Sequence, residues 1–340
     1  MVLPLLRSAP ARSIRLCTLA CLSLLQPGCT TLNTGGVTTR FNLVVQSNVD
    51  NTKNHLSSPD PFSVSASCKP GQQMVGGGYN LINNSHLRTL VVVEGNYPSA
   101  PATWTVRVRN PDDFDYNGDE DVAVFALAYC VTTPNFDLGT EIVVQTAQIP
   151  HTSEPTDIVV WCSQPEGLVL SGGFLTSSLP RFRVSDPGVL GHTYWPGLRG
   201  TGIVASFPTI SYDTYEARGW SVTQQYTPAF FQPGAEEDVT TSVFAICARK
   251  GIVAGHPHRV VAADGYLGWD ESHIEAHCEK GEFTVGGGYS RFRLIPDTGE
   301  PGIAVTERSV AVPFDGWRIV GDSLGNDIYV LALCVRIPVI

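Results

Sequence analysis

One pattern runs three times along this 340-residue chain, in the same order, and each copy is bracketed by cysteines. Cys68-Lys-Pro-Gly-Gln-Gln-Met-Val-Gly-Gly-Gly-Tyr79 returns as Cys162-Ser-Gln-Pro-Glu-Gly-Leu-Val-Leu-Ser-Gly-Gly-Phe174. It returns again as Cys278-Glu-Lys-Gly-Glu-Phe-Thr-Val-Gly-Gly-Gly-Tyr289. Each copy then passes a proline (Pro98, Pro208, Pro313) and reaches a tryptophan that opens an alternating run, at Trp104, Trp220 and Trp317. Each closes on an apolar stretch ending in cysteine: Val124–Cys130, Val243–Cys247 and Val330–Cys334. Self-similarity in fixed order constrains architecture more than any single motif, because each copy must build the same supersecondary unit.

The runs inside the unit are short and β-branched. Phe41-Asn-Leu-Val-Val-Gln46, Glu141-Ile-Val-Val-Gln145 and Arg259-Val-Val-Ala262 open the three copies, and Phe62-Ser-Val-Ser-Ala-Ser-Cys68 alternates at period two. Both are strand signals. The consecutive glycines, with no side chains to pack, predict a bulge or a close crossing of backbones. The fold class is therefore all-β. Two assemblies suit it: three tandem antiparallel β-sandwich-like repeats, each stapled across its sheets by its own disulfide, or one closed pseudo-three-fold body resembling a β-prism. A repeat of roughly 90 residues is long enough for a sandwich alone, which favours the tandem arrangement. The boundaries are 41–133, 138–249 and 256–340, preceded by a signal over 1–28 and a polar, Gly/Thr-rich flexible tether over 29–40.

Three arginines precede an apolar run at 16–25 that is too short for a mature membrane span, which is the pattern of an export signal. Leu25-Gln-Pro-Gly-Cys29 follows. Gly28 and Cys29 resemble the cleavage site of a bacterial lipoprotein, a resemblance that implies lipid on Cys29 and anchoring at the outer membrane or cell surface. Plain secretion is the alternative. Nine cysteines less Cys17, Cys21 and Cys29 leave six, two per repeat. An even set in an exported chain implies disulfides. The repeat makes Cys68–Cys130, Cys162–Cys247 and Cys278–Cys334 the simplest of the 15 pairings open to six cysteines.

Charge narrows the partners. The formal net charge is −10, and removing residues 1–28 takes away Arg7, Arg12, Arg15 and no acid, leaving −13. Such a balance opposes phosphate binding, so nucleic acid is not an expected partner. Contact with a membrane is expected only through the lipid on Cys29. The order Cys-x-x-Gly, Gly-Gly-Gly, Trp-x-Val, Val-x-Ala-x-Cys looks like a module of secreted bacterial proteins without an assigned activity. Its motif residues are structural types, so the resemblance implies a fold and no catalytic residue.

Candidate sites come from the loops. From the aromatic after the glycines to the proline, repeats one and three take 19 and 24 residues, whereas repeat two takes 34. The extra segment holds His192, Tyr194, Trp195 and Arg199, and Tyr212 and Tyr215 follow. Loops on a rigid scaffold often bind, and aromatic rings with an arginine suit a glycan or a protein side chain. The competing reading is a small satellite core. Asp115, Asn117, Asp119 and Asp121 alternate in an oxygen-rich run that suits calcium, the one cofactor the chain suggests, against a solvated hairpin tip. His273 and His277 share a strand face about 13 Å apart, too far for one zinc, and Cys278 is claimed by a disulfide. His256 and His258 read as exposed linker residues, and Ser85, His86 and Asp112 lie in no nucleophile elbow. The function expected is a non-catalytic cell-surface or secreted binding or adhesion protein. An envelope structural protein, or a secreted hydrolase with dispersed catalytic residues, is the alternative.

Overall fold

The computed structural model describes residues 30–34, 37–47, 61–83, 92–109, 122–132, 138–150, 155–164, 167–177, 200–210, 216–227, 239–248, 259–266, 272–280, 282–291, 305–312, 316–322 and 327–335. Every regular element among them is a β-strand. Repeat one holds β1 (Thr30–Thr34), β2 (Val37–Ser47), β3 (Phe62–Ser67), β4 (Gln73–Asn83), β5 (Val92–Ala100), β6 (Thr103–Arg109) and β7 (Val122–Thr132). Repeat two holds β8 (Glu141–Ile149), β9 (Thr156–Trp161), β10 (Leu168–Ser177), β11 (Gly200–Ile210), β12 (Ala217–Thr227) and β13 (Val239–Ala248). Repeat three holds β14 (Arg259–Tyr266), β15 (Ser272–His277), β16 (Phe283–Arg291), β17 (Val305–Val312), β18 (Gly316–Asp322) and β19 (Asp327–Val335).

These strands make three antiparallel sheets, and no sheet belongs to one repeat. Sheet I runs β1-β2-β7-β4-β17-β18-β15, sheet II β3-β6-β5-β10-β13-β8, and sheet III β14-β19-β16-β11-β12-β9. Each repeat splits its strands between two sheets, as a small sandwich does, and its disulfide bridges them. Cys68–Cys130 joins sheets II and I, Cys162–Cys247 joins III and II, and Cys278–Cys334 joins I and III. The inner strands then continue into the next repeat, so the units are not separate bodies in tandem. The strand pairing follows the closed alternative instead.

The seams between repeats are equivalent and short. Phe174 pairs with Asn96, Tyr289 with Ser206, and Tyr79 with Ser309. Pro98 and Pro208 sit in the central strands β5 and β11, two residues beyond the seam positions Asn96 and Ser206. The seam residue also serves the core. The Trp104 indole donates to Asn96 Oδ1 at 2.6 Å, and the Trp220 indole donates to Ser206 Oγ at 3.0 Å.

Both readings of the glycine run hold. Bulges fall between Met74 and Gly76, Val169 and Ser171, and Thr284 and Gly286. Backbones also cross closely: a Cβ on Gly173 would overlap the Asn96 carbonyl, and one on Gly288 the Ser206 carbonyl. A side chain there would push the seam strands apart, which is why the closed body needs glycine. Elsewhere the local rules are ordinary. In β3, Val64 and Ala66 are buried while Ser63, Ser65 and Ser67 face out. After each first cysteine a tight turn reverses the chain, with Gln72, Gly167 and Glu282 donating N–H to the carbonyls of Lys69, Gln164 and Glu279. Gly71 takes φ 81° in the first of these turns.

The N-terminal expectation is corrected in one respect. Residues 30–34 and 37–47 form a hairpin added to the edge of sheet I, where a flexible tether was expected. Threonine runs on both sides of Gly35-Gly36 carry the β-branching that favours strands, and β2 offers an edge to pair with. Residues 1–28 and Cys29 lie outside the described residues.

Candidate functional site

Repeat two forms a wedge whose layers are β8, β13 and β10 on one side and β9, β12 and β11 on the other. Antiparallel register fixes where its connectors attach. Gly200 pairs with Thr227, so the long connector over 178–199 and the connector over 228–238 attach at one end of the wedge. Ile210 pairs with Ala217 at the opposite end, where the connector over 211–215 attaches. His192, Tyr194, Trp195, Arg199, Tyr212 and Tyr215 all lie outside the described residues. Their attachment points are nevertheless separated by the length of β11, roughly 30 Å. The two connectors therefore attach at opposite ends of the wedge. Asp115, Asn117, Asp119 and Asp121 also lie outside the described residues, between β6 and β7.

Inside the wedge, at the end that carries the long connector, three polar side chains stand where hydrocarbon is the rule. Thr176, Gln224 and Thr241 are all buried. Thr241 donates its hydroxyl proton to Gln224 Oε1, and the Thr176 and Thr241 hydroxyls are 3.2 Å apart. Gln224 Nε2 has no hydrogen-bond partner. Counted from the glycines, the tryptophan and the last cysteine, the same positions in repeat one are Leu81, Val108 and Val124, all buried. Leaving a buried amide N–H₂ unmatched costs about 1–3 kcal/mol, so the polar trio is a liability that apolar residues would avoid. Single-motif reading missed it. Comparing the repeats position by position would have found it: repeat one has Leu81, Val108 and Val124, repeat three has Arg291, Gly321 and Ile328, and repeat two alone has uncharged polar side chains at all three.

The remaining candidates resolve by geometry. His273 and His277 both face outward on the edge strand β15 and flank Glu275, with His277 Nε2 at 3.2 Å and His273 Nε2 at 3.7 Å from its carboxylate. Arg318 from β18 binds the same carboxylate. This is a surface charge cluster held by cross-strand pairing. Among the described residues, the grouping nearest to a metal constellation is Cys278, Glu282 and Cys334, and both sulfurs are consumed in a disulfide. Gly321-Asp-Ser-Leu-Gly325 matches the Gly-x-Ser-x-Gly pattern of a nucleophile elbow. It joins β18 to β19, whereas the elbow needs a strand feeding a helix. Ser85, His86, Asp112, His256 and His258 lie outside the described residues.

No model of a known protein family matches the chain, and no curated protein is significantly similar to it.

Proposed function

We infer that the chain is a non-catalytic binding protein of the cell surface or extracellular space, engaging a glycan or protein through the long-connector end of repeat two. The observation that carries this reading is the set of three disulfides, each tying two sheets of a closed body. Disulfides of this kind persist in oxidising compartments, which supports export. The Arg-rich start, the apolar run and Gly28-Cys29 support a signal and a lipid on Cys29. A rigid body that presents one enlarged connector supports recognition in place of chemistry.

The test is a glycan array and a pull-down with the exported chain, wild type against Trp195→Ala. Partner retention should fall on the order of 10-fold or more, as for an aromatic anchor, with the melting temperature unchanged. Equal retention by both proteins would remove the connector from the binding surface. Intact-mass analysis of the membrane fraction should give a chain starting at Cys29 with acyl mass added.

A further inference from the structure

The proton inventory of the polar trio in repeat two is determined by its chemistry. Gln224 Oε1 can only accept, so the single hydroxyl proton of Thr241 is committed to it. The contact between Thr176 and Thr241 must then be donated by Thr176. What remains unmatched is the Gln224 N–H₂, at 1% exposure. Turning the amide over leaves Oε1 unmatched in place of Nε2, so one amide atom lacks a partner in either orientation. A hydroxyl group, which both donates and accepts, satisfies the amide in both.

The trio carries no formal charge, and a buried ion would face no counter-charge from it, so the group it takes is neutral. Its place in the wedge agrees. Thr176 is the second-last residue of β10, Thr241 the third of β13, and Gln224 lies three residues before the end of β12. All three stand at the end where the chain's longest inter-strand connector attaches. Repeat one fills the same positions with Leu81, Val108 and Val124, so the fold itself does not require polar groups there.

We propose that Gln224, Thr241 and Thr176 form a binding pocket for a hydroxyl of a neutral sugar or polyol, with Gln224 as the reading residue. The pocket stands independently of capture through the long connector, because it needs none of the residues at 178–199.

The experiment is a titration of the full exported chain, labelled with ¹⁵N at glutamine, followed at the Gln224 side-chain amide resonance. The probes are glucose, galactose, N-acetylglucosamine, glycerol and chitotriose, the last separating a free sugar from the end of a glycan. At least one probe should give a saturable shift. The same probe, followed by isothermal titration calorimetry, should bind wild type saturably and should not bind Gln224→Leu or the triple variant Thr176→Leu, Gln224→Val, Thr241→Val, which installs the residues of repeat one and should melt no lower than wild type. Overturning results are a Gln224 resonance unmoved by all five probes, or one whose only contact is a long-lived water seen by water–amide cross-relaxation. Binding that survives in Gln224→Leu would also overturn it, and this variant decides the matter if the triple variant does not fold. Loss of partner capture in Trp195→Ala with the Gln224 shift intact would separate the two readings.

Discussion

The indole of Trp104 lies so close over Gly77 that a Cβ on that glycine would overlap the ring. Trp104 belongs to sheet II and Gly77 to sheet I, so the contact locks the two layers of repeat one together. Trp220 over Gly172 and Trp317 over Gly287 repeat it. All three indoles are essentially buried.

Gly77→Ala should therefore destabilise the protein by about 1–3 kcal/mol or more through overpacking, because the ring it meets has no room to retreat. Trp104→Ala acts from the other side, opening a cavity at a cost of roughly 3–5 kcal/mol. Urea unfolding of both variants measures this. A Gly77→Ala protein as stable as wild type would mean that the layers are not in register as described.

Reduction should be severe for the same architectural reason. Each disulfide joins two sheets and closes 56 to 85 residues of chain. On the loop-entropy account each contributes roughly 4–5 kcal/mol. Peptide mapping under non-reducing conditions should return Cys68–Cys130, Cys162–Cys247 and Cys278–Cys334. The paired substitution Cys162→Ala, Cys247→Ala, which opens the longest loop, should cost at least as much as either of the others.

The strands, the three pairings and the bulges at the glycines were legible because each rests on local pattern: alternation in β3, a cysteine at each end of the unit, and side chains missing at 76–78. The sharing of sheets was not. It depends on Gly173 meeting the Asn96 carbonyl, residues 77 positions apart in the chain and in different repeats. Nothing in the local sequence of either strand names its partner. Repeat length argued for independence, yet length is satisfied equally by a wedge that closes on its neighbours. The polar trio was hidden for a related reason: Thr176, Gln224 and Thr241 lie on three strands, and only their burial makes them unusual.

An excised repeat tests the closed body directly. Residues 41–133 alone leave the inner edges of β4 and β5 without β17 and β10, exposing unpaired backbone beside the buried seam residues Tyr79 and Asn96. The oxidised fragment should fail to give a folded monomer by circular dichroism and light scattering, and should be unfolded or self-associated. A folded, monomeric fragment would restore the tandem-sandwich arrangement.

The three glycine runs differ at one place. Ser171 replaces the first glycine of repeat two, and its equivalents Gly76 and Gly286 face it: a Cβ on Gly76 would stand 3.0 Å from Ser171 Cβ, and one on Gly286 2.9 Å. The centre of the body therefore holds a single short side chain, and its hydroxyl is buried without a hydrogen-bond partner. Ser171→Gly removes that unmatched hydroxyl, a gain of about 1–3 kcal/mol. Added chain entropy of glycine in the unfolded state offsets about 0.5–1 kcal/mol of it. The net effect should be neutral to mildly stabilising, in spite of a buried position. Gly76→Ala should do the reverse, since its methyl would meet the Val285 carbonyl as well as Ser171. Combining the two should recover part of the Gly76→Ala loss, because one of the two obstacles is gone, giving a coupling of roughly 0.5–3 kcal/mol in a double-mutant cycle. Strict additivity would show that Ser171 and Gly76 are not neighbours, and with that the convergence of the three repeats at this point would fall.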